Sequence, residues 1–179
     1  MLRLVSKAFA KDDPADEPVV VVRRVPLPAG APNYVTPRGL ASLRAELRNL
    51  DADRASLEAA TPGANADADR VRALSVVHAR LRELEERIVS AVLVDPRTQP
   101  HEGVRFGACV TVRGESGAER RYEIVGVDEA DAAHGRVAFV APLARALLGK
   151  RVGDVVTVRI PRGEEELEVR AVEYEALRA

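Results

Sequence analysis

The sequence predicts an α+β protein, an N-terminal antiparallel coiled-coil hairpin followed by a small, mostly antiparallel β domain. Two observations carry that prediction. From Thr36 to Val94, leucines and valines recur at alternating steps of three and four, broken once by Thr61-Pro62-Gly63-Ala64. From Val104 to Tyr174, the period changes to two, with glycine-marked turns between short apolar runs.

In the first arm Leu40, Leu43, Leu47, Leu50 and Leu57 keep the helical spacing, with Arg54 filling the gap. In the second, Leu74, Val77, Leu81, Leu84, Ile88 and Ala91 keep it without a break. A mean interval of 3.5 holds such residues on one side of a slightly underwound helix, which is the seam of a coiled coil. A short interruption between two helices folds them back antiparallel. Facing Leu40 with Leu84, Leu43 with Leu81, Leu47 with Val77 and Leu50 with Leu74 puts the mirror point at the Pro62-Gly63 turn, so turn and seam agree. At about 1.5 Å per residue, arms of about 24 residues make a finger roughly 36 Å long. A finger of that length has little to cover it, and it projects from a domain in order to reach into something.

The boundaries follow from local chemistry. Residues 1–33 hold five prolines and a mixed charged cluster, so they read as a flexible tail with one apolar patch at Val19 to Val22. The hairpin spans residues 34–95, with its tip near residues 61–65. Thr36 can accept from the free amides of the first turn, and Pro37 lacks a donor that would be unsatisfied there anyway. Asn65 is a cap for the second helix, and Val94-Asp95-Pro96 is where a proline ends it. Residues 96–103 are a linker, and residues 104–179 form the β domain. Its expected strands are Ala108 to Val112, Arg121 to Ile124, Val137 to Val140, Val155 to Ile160 and Leu167 to Val172. A short helix at Leu143 to Leu148, closed by Gly149, lies among them, and Pro161-Arg162-Gly163 is a tight connection.

Composition excludes several classes of function. A net charge of −1 with 31% charged residues supplies no bulk positive field for coating nucleic acid. Aromatics at 3%, with no Trp, leave almost no stacking platforms for single-stranded bases. The single cysteine, Cys109, rules out an internal disulfide and reads as a small buried hydrophobe in a reducing compartment. No apolar run approaches the ~18 residues of a membrane span, and the N-terminus lacks the apolar core of a secretion signal. The expectation is a cytoplasmic protein that is a monomer and no partner of membranes. His78, His101 and His134 are scattered singly, and no phosphate loop, nucleophile elbow or zinc pattern is present.

The carboxylates near the tip are Glu58, Asp67 and Asp69. One reading gives Asp67 and Asp69 to the dipole of the second helix and Glu58 to a solvated face. The other makes them ligands of a hard cation. The arginines of the two arms likewise read as solvated flanks paired with nearby acids, a minority of them touching nucleic acid or a partner's acids.

The run Ala141-Pro142-Leu143-Ala144-Arg145-Ala146-Leu147-Leu148-Gly149-Lys150-Arg151-Val152-Gly153-Asp154, followed by Val155 to Ile160 and the closing Val172-Glu173-Tyr174, resembles the C-terminal domain of the bacterial GreA/GreB transcription elongation factors. Asn33-Tyr34-Val35-Thr36-Pro37-Arg38-Gly39-Leu40, Arg80-Leu81-Arg82-Glu83-Leu84 and Ser6-Lys7-Ala8-Phe9 are similar to the GreB branch. The resemblance implies a coiled-coil finger on an FKBP-like domain. It implies bacterial RNA polymerase as the partner, the C-terminal domain docking on the rim of the secondary channel and the finger entering toward the nascent RNA 3′ end. In that family two fingertip acids hold a second magnesium, shared with the polymerase active site, so that the polymerase cleaves its own backtracked RNA. The factor is then a ligand donor with no cofactor of its own, and no enzyme.

The family loop reads Asp, any residue, Ser, Glu, Asn, Ala, then Asp or Glu. Anchored on Asn65-Ala66-Asp67, it puts Thr61 and Ala64 at the two acidic positions. Anchored on Arg80 to Leu84, it puts Asp67 at the first and Arg70 at the second. The expectation is weak or absent stimulation of cleavage, with docking through Pro142, Leu147, Leu148, Lys150 and Asp154. Two alternatives stand beside it: a cleavage-competent factor using Asp67 and Asp69, and a short-finger regulator similar to the nucleoside diphosphate kinase regulators.

Overall fold

The structure is a computed structural model and describes residues 24–60, 67–160 and 163–174. The expected tip turn with Thr61, Ala64 and the Asn65 cap, the patch at Val19 to Val22, and the Pro161-Arg162 connection lie outside the described residues.

The expected tail over residues 1–33 is corrected at its end, since Asn33 is buried, paired with Ala91 and bonded through its side chain to the Arg87 carbonyl. Strand β1 (Asn33–Val35) leads directly into helix α1 (Pro37–Ala59). The Thr36 hydroxyl accepts from the Gly39 amide and Pro37 occupies the first turn, as the local sequence requires. Helix α2 (Asp67–Val89) returns the chain to β2 (Ala91–Leu93), which pairs parallel with β1 in the register Asn33 to Ala91, Tyr34 to Val92 and Val35 to Leu93. The start of α1 and the end of α2 therefore meet, and the helices run antiparallel. Leu43, Leu50, Leu81 and Leu84 form their buried cluster with Val35, flanked by Leu40, Leu47, Val77 and Ile88.

The expected end of the second helix at Pro96 is corrected. The helix stops at Val89, and Pro96 opens a single 3-10 turn, Pro96–Thr98, capped by the Asp95 side chain. Ala91 and Val94 continue the helical spacing, but β1 offers their backbone a ladder, and the Val94 amide donates to the Val35 carbonyl. Periodicity could not show that competing partner.

The remaining elements are β3 (Cys109–Gly114), β4 (Glu119–Val125), β5 (Arg136–Ala138), α3 (Pro142–Leu147), β6 (Val155–Ile160) and β7 (Gly163–Glu173). They build one sheet in the order β5-β4-β3-β7-β6, antiparallel except for the parallel pair β4 and β5. The third strand is thus shorter than Val137 to Val140, and β7 begins four residues before Leu167. Along β3 the alternation is strict, with Val110 and Val112 buried and Cys109 and Thr111 half-buried. The core joins Val110, Val112, Ile124, Val156, Val158, Leu167 and Val169 to Ala144 and Leu147 of α3. Among the described residues no helix is long and apolar enough to cross a membrane.

Candidate functional site

Three places carry side chains of interest: the joint between helices and sheet, the far end of the helical pair, and the surface around α3.

At the joint, the chain after β4 makes a 3-10 turn, Val127–Glu129, against the start of α1. Glu129 accepts from the Thr36 amide (2.9 Å) and from the Thr36 hydroxyl (2.5 Å), while that hydroxyl accepts from Gly39 (3.0 Å). A carboxylate from the sheet side thereby completes the cap of α1 and lies at the positive end of its dipole. Gly39 is required by this approach, since a Cβ there would stand 2.1 Å from the Glu129 Cδ. The neighbouring Asp128 side chain is only 4% exposed and faces two guanidiniums, Arg24 at 3.2 Å and Arg87 at 3.7 Å. Arg38 of α1 reaches Glu123 of β4 at 2.6 Å. Of the chain's three Phe and three Tyr, Tyr34, Phe106 and Phe139 meet here with ring centroids 5.4–5.8 Å apart. Further along the same loop, hydrogen bonds from Arg136 and His134 hold the Asp131 carboxyl down at about 2.

At the far end, Glu58, Asp67 and Asp69 are all exposed, and each has an arginine on its own helix. Arg54 stands 4.0 Å from Glu58, Arg70 3.5 Å from Asp67 and Arg72 3.4 Å from Asp69. Asp67 and Asp69 are two positions apart on α2, and residues so spaced point to different sides of a helix. Asp67 and Asp69 do fill the first turn of α2, where they complement its dipole. The structure gives these three acids no common focus for a cation.

Around α3 the five expected docking residues separate into two groups. Pro142 is exposed at the start of α3, Leu148 and Lys150 are half-buried, and Asp154 is exposed, its carboxylate accepting from the Arg151 amide at 2.8 Å. Leu147 is a correction, because it is fully buried in the sheet core and offers nothing to a partner. The short helix expected at Leu143 to Leu148 forms as α3, which turns Ala144 and Leu147 inward. Gly149 follows with φ +81°, the left-handed turn that glycine permits after a helix. Beside it lies a cleft lined by Gln99, Glu102, Arg105, Phe106, Leu148 and Arg151.

The stretch containing α3, the cleft and the whole five-stranded sheet is also where a known family matches. The family model described as "Transcription elongation factor, GreA/GreB, C-term" matches residues 99–174. Transcription elongation factor GreA of Acidiphilium cryptum is 40% identical over 151 residues, covering 78% of this chain and 96% of that protein. Transcription elongation factor GreB of Neisseria meningitidis serogroup B is 35% identical over 153 residues, covering 79% and 94%. GreB of Pseudomonas aeruginosa is 38% identical over 161 residues, covering 84% and 95%. The chain belongs to the GreA/GreB family.

The GreA/GreB alignments, at 151 to 161 residues, are about twice the stretch 99–174 and take in the helical pair as well. In this GreA/GreB chain, reading the sequence located the α3 surface and the tip acids but missed Arg24, Asp128 and Glu129. The acids of Val127-Asp128-Glu129-Ala130-Asp131 were a visible signal. Nothing local tied them to the start of a helix some ninety residues earlier.

Proposed function

We propose that this GreA/GreB-family chain is a cytoplasmic regulator of bacterial RNA polymerase that occupies the secondary channel and stimulates transcript cleavage weakly or not at all. In this reading residues 34–95 are a coiled-coil finger that points toward the nascent RNA 3′ end. Residues 104–179 are an FKBP-like domain that docks on the channel rim, and residues 96–103 link the two. Pro142, Leu148, Lys150 and Asp154 form the docking surface with Arg105 and Arg151 of the adjoining cleft, while Leu147 supports it from beneath.

The observation that carries the reading is the state of the acids at the far end of the helices. Residues 61–66 contain no Asp or Glu, so Glu58, Asp67 and Asp69 are the nearest carboxylates. Each faces an arginine of its own helix, and Asp67 and Asp69 diverge by about 200° around α2. A second magnesium needs carboxylates that converge on one point. The residues present do not fit that ion. The chain then acts by filling the channel, as a protein with no reaction of its own.

The deciding experiment adds the purified protein to stalled, backtracked elongation complexes, alone and in competition with an active GreB. No cleavage above the intrinsic rate, with inhibition of GreB, is expected. Cleavage that disappears in Asp67→Asn/Asp69→Asn would establish the cleavage-competent alternative instead. Neither cleavage nor competition would remove the secondary channel from the account and favour the short-finger type of regulator.

A further inference from the structure

The segment ahead of β1 is tied to every part of the joint at once. The Arg24 guanidinium pairs with Glu46 of α1 and with Asp128 of the sheet-side turn, 3.2 Å away. The Arg24 backbone amide donates to the Glu83 carboxylate of α2 at 3.1 Å. The next residue continues the attachment, the Val25 carbonyl accepting from the Arg87 guanidinium. One residue and its neighbour thus touch both helices and the sheet side.

The electrostatics make this attachment consequential. Asp128 is nearly solvent-free, and its Oδ2 accepts no hydrogen bond, although Arg87 stands 3.7 Å from it. Arg24 donates a hydrogen bond to Oδ1 at 3.2 Å. Without it the carboxylate would keep a single distant counter-charge in a desolvated position, which is costly enough to drive a rearrangement toward water. Asp128 shares its 3-10 turn with Glu129, the residue that caps α1. A shift of Asp128 would therefore carry with it the Glu129 carboxylate that contacts Thr36 at the start of α1.

We propose that Arg24 and Val25 form a latch across the joint, with Arg24 as its positioning residue, fixing the angle at which the helical pair leaves the sheet. The inference goes beyond the proposed function and does not depend on a polymerase.

The test is a distance measurement on the full chain by double electron–electron resonance. Spin labels are placed at Ser75→Cys on α2 and Thr157→Cys on β6, both exposed positions, in a Cys109→Ser background. The parent should show one narrow distance distribution. Arg24→Ala should at least double its width or move its maximum, while helical circular dichroism and the cooperativity of melting stay as they were. Arg24→Lys, which keeps the charge and loses the fork, should fall between. An unchanged distribution in Arg24→Ala would overturn the latch. Loss of cooperative folding in Arg24→Ala would overturn it too, because a latch joins parts that fold without it.

Discussion

The helical pair and the sheet domain bury their apolar residues in different ways. In the sheet, α3 closes one face, and Val110, Ile124, Leu147 and Val169 are fully buried. Between α1 and α2 burial is graded: Leu84 near the joint is fully buried, Leu57 and Leu74 further out are half-buried, and Val71 is 61% exposed. Two helices can cover only one stripe of each other, and a third layer is needed to seal it. The sheet side supplies that layer at one end only, through the aromatic trio and the Glu129 cap. Among the described residues of the helical pair, burial thus falls away from the base, and local stability is expected to fall with it.

The largest effect expected from this contrast is on core truncation. Leu147→Ala should cost about 2–5 kcal/mol in urea unfolding, whereas Leu57→Ala should cost less than about 1 kcal/mol, because its site is already partly wet. Equal losses would break the comparison. The joint comes next. Gly39→Ala should destabilise by about 1–2 kcal/mol, since the added Cβ displaces Glu129 and removes a capping partner. In a double-mutant cycle with Glu129→Ala the combined loss should be smaller than the two single losses added together, as the second change relieves the clash. Strict additivity would mean that Glu129 and Gly39 do not meet.

Amide exchange sharpens the gradient without any mutation. Protection along α2 should fall from Leu84 toward Asp69, with the Leu84 amide exchanging near the global unfolding rate and the outer turns faster by ten-fold or more. Uniform protection would show that the far end is sealed by contacts other than the seam.

The smallest expected effect lies in the loop beside the joint. Asp131 titrates at about 2 in the folded chain against 3.8 for the free group, so the linked stability is complete above 3.8 and is lost as pH falls toward 2. Arg136→Gln removes the first of its hydrogen bonds and should move the Asp131 carbon-13 titration toward 3.8. The variant should also lose less melting temperature than the parent between pH 5 and pH 2. A midpoint that stays at about 2 would assign the shift to His134 instead.

The legible parts of this protein were those governed by neighbours in the chain. Thr36 and Pro37 announced the start of α1, and the apolar residues from Leu40 to Ile88 announced which faces would meet. The glycines at 114 and 117 marked the hairpin between β3 and β4, and Ala141 to Asp154 marked the family. Leu147 shows the limit. Its motif pointed to a docking residue, but a short amphipathic helix presents one face inward, and the register of α3 on the sheet gave that face to Leu147.

By itself, then, the sequence determined the α+β class, the two long helices, most strand positions and the family. Each of these rests on spacing or on a motif read within a few dozen residues. Only the tertiary structure decided that α2 ends at Val89 in favour of β2, and that Glu129 caps a helix 93 positions away. It alone joined Arg24, 104 positions from Asp128, to α1, α2 and the sheet side together. The physical reason is one of partners. A cap, a ladder or a buried ion pair takes its energy from a group that folding brings near, and no local pattern names that group in advance.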